Sequence, residues 1–196
     1  MTMKHSKIHS FDPEKTAADL PQDLFNHAAR NPRFSSSVEI PHPEFDAVTA
    51  KISSTALHFS VGRKTAAEFN LRQDAHDLWD LYHREVDRFF RGHGLGKLGF
   101  ILIERMVAVH AQRHLFLDVV EHNTRTAYSD EPQVIQADVL ELALHRGFEP
   151  MNVSSAILID RIRKKIGFEI LDLETGLKAI PDETEPLALL LSKQLP

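Results

Sequence analysis

The chain contains no cysteine among its 196 residues. That absence excludes disulfides, thiolate metal sites and cysteine nucleophiles, and it is compatible with a reducing compartment. No apolar run approaches the roughly 20 residues a membrane-spanning helix needs. The opening stretch MTMKHSKIHS holds no apolar segment of the secretory kind, so a cytoplasmic protein with no membrane partner is expected. Positive charge is also in short supply. Lys and Arg total 23 against 28 Asp and Glu, a net charge of −5, whereas nucleic-acid binders usually carry a basic footprint. Tyrosine occurs only twice.

What is present is ordinary for a soluble globular chain: 42% hydrophobic and 26% charged residues. The length suits one domain with a sizeable core, or one domain plus an elaboration. Twelve histidines are many, but they are scattered and form no HExxH pair. His110 and His114 read as part of a solvated helix face.

The most informative stretch is Val86 to Asn123, which reads as strand end, glycine-rich turn, helix and strand. Its turn is Arg91-Gly92-His93-Gly94-Leu95-Gly96-Lys97. Three glycines in five positions free the backbone and let a ligand come close to the main chain. A helix starting near Leu95 leaves its first amides without internal partners. Those amides and the helix dipole suit a phosphate or diphosphate.

Around this centre the pattern is uneven. Lys7 to Phe11 reads as an edge strand, and Asp12-Pro13 opens a helix carrying Leu20, Leu24, Phe25 and Ala28 on one face, ended at Asn31-Pro32. Residues 33–43 read as loop and Phe45 to Ile52 as a short helix. Thr55 to Val61 and Thr65 to Leu71 read as a hairpin about Gly62, although Ala66-Ala67-Glu68 favours helix. Asp77 to Phe90 stays ambiguous. Leu78, Tyr82, Val86 and Phe89 recur at helical intervals. A strand would instead put Trp79, Leu81, His83 and Glu85 on one face, with Leu78, Asp80, Tyr82, Arg84 and Val86 on the other. Leu95 to Gln112 is the clearest helix, followed by a strand at Leu115 to Val120. Residues 124–132 read as turn and Val134 to Leu144 as helix. Ser154 or Ser155 caps a further helix running to Gly167. Phe168 to Leu173 and Leu187 to Leu191 are strand candidates.

The order of these elements, with Arg91, Gly94 and Gly96 in an Arg/Gln-x-x-Gly-x-Gly/Ala pattern, resembles the GNAT superfamily of acetyl-CoA-dependent N-acetyltransferases. The resemblance is densest over 86–123, where Val86 to Phe90 looks like the end of the family's fourth strand. It implies an α/β fold with a mixed, mainly antiparallel sheet flanked by helices, in a single domain over 1–196. A helical insertion would follow the fifth strand at 124–152. It implies acetyl-CoA as cosubstrate and a small-molecule or peptide amine as acceptor; a homodimer stays open.

The resemblance also assigns roles. Amides from Gly92 through His93, Gly94, Leu95 and Gly96 to Lys97 would cradle the diphosphate, with Arg91 and Lys97 adding charge. The backbone near Val86 would pair with the pantetheine arm, and the fifth strand would end at Asn123. Asp80 stands where some members carry the general base, with Glu85 and His83 as rivals on the opposite face. The family's usual tyrosine acid falls on Arg163 here, and Ala156 replaces its asparagine, which leaves Tyr128 as a substitute donor. Two other readings compete. One is a helical winged-helix regulator reading DNA through 154–167, with Arg161, Arg163, Lys164 and Lys165 at the phosphates. The other is an inactive GNAT fold that binds acyl-CoA.

Overall fold

A computed structural model describes residues 11–74, 78–110, 113–121, 134–135, 137–164, 168–172, 176–179 and 189–196. The expected edge strand at Lys7 to Phe11, Asn123 and Tyr128 lie wholly or largely outside these residues. The first helix, α1 (Pro13–Asp19), starts as its sequence directs. Asp12 Oδ1 accepts from the amides of Glu14 and Lys15 at 3.1 Å each, and Pro13 occupies the first turn, where its missing N–H costs nothing. The single helix expected up to Asn31 is instead two. Leu20, held extended by Pro21, ends α1, and α2 (Gln22–Arg30) follows.

Five antiparallel strands come next: β1 (Ser35–Ile40), β2 (Val48–Ser53), β3 (Ala56–Val61), β4 (Lys64–Gln73) and β5 (Trp79–Val86). Two of them correct the sequence reading. The serine-rich stretch read as loop is β1, and the helix placed at Phe45 to Ile52 is largely β2. Val48, Ala50 and Ile52 are fully buried at a spacing of two, which is the strand period. The helical periodicity of Asp77 to Phe90 is also overridden. Pairing with β4 makes Trp79–Val86 a strand, and only Arg88–Phe90 turn as a short 3-10 helix.

The registers give this sheet two unlike faces. One carries Ile40, Ile52, Ala50, Leu57, Phe59, Phe69, Leu71 and Leu81, all buried, and the helices of this unit pack against it. The other carries His58, Glu68, Asn70, Asp80, His83 and Glu85. A bulge explains why the last three belong together. Asn70 pairs with His83 and Leu71 with Leu81, so Tyr82 is an extra residue. An extra residue shifts the alternation beyond it. Strict alternation placed His83 and Glu85 opposite Asp80; the bulge brings all three to one face.

Helix α3 (Leu95–Ala108) is the unit's pillar, buried along most of its length. It lies so close to the sheet that a Cβ on Gly99 would sit 2.1 Å from Phe69 Cζ. Phe69 is in turn wedged edge-on between Phe59 and Phe100, at 6.2 Å from each. Further along, Arg105 ties the two N-terminal helices to α3. Its guanidinium donates to the carbonyls of Ala17 and Leu20 and to Gln22 Oε1, and it lies 4.2 Å over the Phe25 ring. The Ala17 carbonyl also accepts from Leu20 N at 3.3 Å, and the guanidinium adds a second donor there and one at Leu20, where the helix has ended. Burial pushes the Arg105 pKa down from its ordinary value. His110 is not on a solvated helix face as expected; its ring packs on Trp79 at 4.4 Å.

The chain divides into two compact units, one through Arg113 with Leu195–Pro196 and the other His114–Gln194. In the second, β6 (His114–Asp118) pairs antiparallel with β12 (Leu190–Gln194), which also pairs with β9 (Glu149–Pro150). A separate ladder links β7 (Val120–Glu121), β8 (Val134–Ile135), β11 (Gly176–Ala179) and β10 (Phe168–Asp172). Helix α4 (Ala137–His145) begins after β8, so Val134 and Ile135 are strand rather than helix. Helix α5 (Val153–Arg163) is capped by Asn152, whose Oδ1 accepts from Ser155 N at 2.7 Å, not by Ser154 or Ser155. Ser155 is instead buried, and its hydroxyl accepts from Leu190 N. Among the described residues no helix is long and apolar enough to cross a membrane. Nor is the fold the almost wholly helical one that the DNA-binding regulator required.

Candidate cofactor-binding and active site

The loop leading into α3 is built from its neighbours in the chain. Asp87 caps the short turn after β5, accepting from Phe89 N at 2.9 Å. Arg91 turns back, and its Nε donates to the Val86 carbonyl at 3.1 Å. The arginine of the motif thus closes the loop onto the strand end. Its charge stays exposed.

The three loop glycines are present for different reasons. Gly92 and Gly94 have φ of +79° and +81°, a region that other residues enter at a cost of about 1–2 kcal/mol. Around Gly92 there is open space, whereas a Cβ on Gly94 would meet Phe11 Cδ1 at 2.6 Å. Gly96 needs neither favour. Its φ is not positive, and a Cβ there would only touch Val86 Cγ2 at 3.5 Å. Among the described residues nothing demands glycine at 96, so a ligand approaching the main chain is a reason that fits.

Gly94 is the N-cap of α3, and no side chain caps the helix. Among the described residues, the amides of the first turn, from Leu95 to Lys97, therefore have no capping side-chain oxygen. Leu95 is fully anchored at 1% exposure, which fixes where the turn points. Lys97 Nζ lies 3.5 Å from Glu14 Oε1, an exposed pair of the kind worth ~0–1 kcal/mol. It holds one positive charge beside the loop.

Residues that local sequence did not single out brace this loop. The segment between β1 and β2 lays His42 against it, with His42 Nε2 3.0 Å from the His93 carbonyl oxygen. Glu44 Oε2 lies 2.9 Å from His93 Nδ1, and the Phe45 ring meets both Phe90 and His93. No short-range spacing links residues 42 and 93. The proline-flanked Pro41-His42-Pro43 was the one local hint of a fixed shape.

The candidate acid–base residues sort by their surroundings. Asp80 is buried and accepts from Arg72 through Nε at 3.0 Å and Nη2 at 2.5 Å. Glu85 is exposed. His83 is half-buried, with Nε2 3.8 Å from Glu68 Oε2, and His58 Nδ1 lies 3.4 Å from the other oxygen of Glu68. Val86 lies at the end of β5, beside the loop. Arg163 and Ala156, at the family's tyrosine and asparagine positions, are exposed on α5. Among the described residues no group of three or more His, Asp or Glu could hold a metal ion.

The chain matches no protein-family model and no curated protein. Solved structures similar to it include GNAT-family acetyltransferases. One from Bacillus cereus ATCC 10987 is 9% identical with a TM-score of 0.38, covering 72% of this chain and 70% of that one. One from Listeria monocytogenes 4b F2365 is 15% identical with a TM-score of 0.37, and the alignment covers 72% of this chain and 64% of that one. A nourseothricin acetyltransferase is 16% identical with a TM-score of 0.41, covering 91% and 96%.

Proposed function

We propose that this protein moves an acetyl group from acetyl-CoA to an amine of a small molecule or peptide. The observation that carries this reading is the uncapped first turn of α3, opened by left-handed Gly94 and unobstructed at Gly96. Amides aimed outward from a rigid helix start suit a diphosphate. Gly92 to Lys97 would hold it, and the backbone of Val86 would meet the arm that follows. Acetyl-CoA, when bound, supplies an activated thioester.

The residues of this chain then have to manage protons. Asp80 is committed to Arg72, and a carboxylate held by a guanidinium is a weak base. Glu85, with His83 beside it on the same face, is the better group to take the proton of the acceptor ammonium. The free amine would attack the carbonyl carbon and the carbon–sulfur bond would break; the departing sulfur needs a proton, the role that the family resemblance suggests for Tyr128, which lies outside the described residues. Acceptors would reach Glu85 over the polar face of the sheet.

Calorimetric titration with acetyl-CoA tests the first part, and absence of binding at high micromolar concentration would remove it. For the second, an amine-panel assay compares two variants. Glu85→Gln should lower kcat about 100-fold or more with acetyl-CoA affinity unchanged. Asp80→Asn should mainly lower thermal stability. The reverse pattern would return the base to Asp80.

A further inference from the structure

We infer that His42 is a positioning residue for the anion loop: its ring fixes which way the Gly94 amide points. The inference rests on the reading of the loop as a diphosphate cradle, but its geometry stands apart from that reading. The backbone N–H of Glu44 donates to His42 Nδ1 at 3.2 Å. A ring nitrogen that accepts carries no proton, so the neutral imidazole bears its hydrogen on Nε2. That nitrogen lies 3.0 Å from the His93 carbonyl oxygen and donates to it. The tautomer is thus assigned by the bonds on both sides.

The ring has little freedom to do otherwise. His42 is buried, stacked on Phe45 at 4.6 Å and tilted against Phe11 at 4.4 Å. Phe11 is also the side chain pressed against Gly94. The second hold, Glu44 on the His93 ring, keeps the same residue of the loop in place.

The consequence follows from peptide geometry. The His93 carbonyl and the Gly94 N–H belong to one planar unit, and in a trans peptide they point in opposite directions. No peptide bond in the described chain is cis. Holding the oxygen toward His42 therefore sends the Gly94 N–H away from the 41–47 segment, just ahead of the first amides of α3. Gly94 is the residue with freedom to flip, since its φ of +81° belongs to a region open to glycine. The Glu44 and Phe45 contacts hold the His93 ring rather than its carbonyl, so the His42 bond is the described hydrogen bond that selects this peptide's orientation, and without it an anion would have to order the peptide on binding.

The test uses His42→Phe, which keeps an aromatic ring and removes the donor, and His42→Gln, whose amide can reach the same carbonyl. Two readouts are needed: NMR relaxation of the Gly94 amide without ligand, which reports how firmly the 93–94 peptide is oriented, and calorimetric affinity for acetyl-CoA. His42→Phe should lower the Gly94 order parameter or broaden its resonance by exchange, and bind about tenfold more weakly, the effect of one hydrogen bond. His42→Gln should restore most of both. If His42→Phe does not fold, His42→Asn, polar but too short to reach, should show the same losses. Unchanged relaxation in the folded donor-less variant, or no rescue by glutamine, would overturn the positioning role. A wild-type protein that binds no acetyl-CoA would remove the cofactor reading alone, and the relaxation at Gly94 would still decide for or against His42.

Discussion

The two ends of α3 do opposite things with the same backbone. From Gly99 onward the helix is defined by what it touches: Gly99 lies against Phe69, Arg105 grips three acceptors and the Phe25 ring, and His110 just beyond covers Trp79. At its N-terminus it is defined by what is left out, with no capping side chain and no Cβ at three loop positions. If the loop holds a diphosphate as proposed, its main-chain amides can only be as well aimed as the helix that carries them, and the buried end would supply that aim. Damage to the body should therefore be read first in stability, and damage to the loop first in ligand affinity.

The largest expected effect tests the body. Gly99→Ala places a methyl group 2.1 Å from Phe69 Cζ. Phe69 cannot withdraw, because Phe59 and Phe100 hold it on two sides, so the helix must lift. Overpacking of this kind costs about 3 kcal/mol, to be read as a shift of the urea midpoint at constant slope. An unshifted midpoint would mean that α3 is not held by this contact, and the contrast between its ends would weaken.

Arg105→Ala comes next. It removes the guanidinium donors from the Leu20 carbonyl, from Gln22 and from the Ala17 carbonyl, which keeps only its bond from Leu20 N, and it uncovers Phe25. About 2 kcal/mol is expected, since hydrogen bonds to charged groups contribute ~1.5–3 kcal/mol. Arg105→Lys should recover little of it. A single ammonium cannot span Ala17, Leu20 and Gln22 as a planar guanidinium does. Full recovery by lysine would reduce the clamp to simple charge.

How much of this was legible in the sequence depends on the range of the interaction that decides each feature. Helix α3, its glycine start and the β3–β4 hairpin were readable, because apolar spacing and turn residues act over a few positions. Strands β1 and β2 were not read. Ser35-Ser36-Ser37 mimics a loop until an antiparallel partner supplies its hydrogen bonds, and the alternation of Val48, Ala50 and Ile52 is too short to outweigh a helical reading of the same stretch. The bulge at Tyr82 has no local signature, yet it decides which of Asp80, His83 and Glu85 share a face. Likewise the Arg72 partner of Asp80 and the His42 brace of the loop come from register and tertiary packing. The positions of the glycine motif were visible in the sequence, whereas the groups that aim and serve it were not.

The smallest expected effect lies at the buried end and depends on pH. Burial against Trp79 pushes the His110 pKa below its ordinary value of 6.5. The folded protein therefore binds a proton at this ring less readily than the unfolded chain does. Stability rises with pH wherever the unfolded state holds more protons. The contribution of the neutral ring is thus present above pH 6.5 and is lost as the pH falls below it toward the lowered folded value. His110→Gln should flatten the slope of Tm against pH over that interval while leaving Tm above pH 7 little changed. The ring is only half-buried, so solvent keeps the effect below those at Gly99 and Arg105. Acetyl-CoA affinity measured at constant folded fraction should not follow it, because His110 lies at the far end of the helix from the loop. If affinity did follow the His110 titration, the two ends of α3 would be coupled more tightly than a rigid pillar allows, and the division of labour between them would fail.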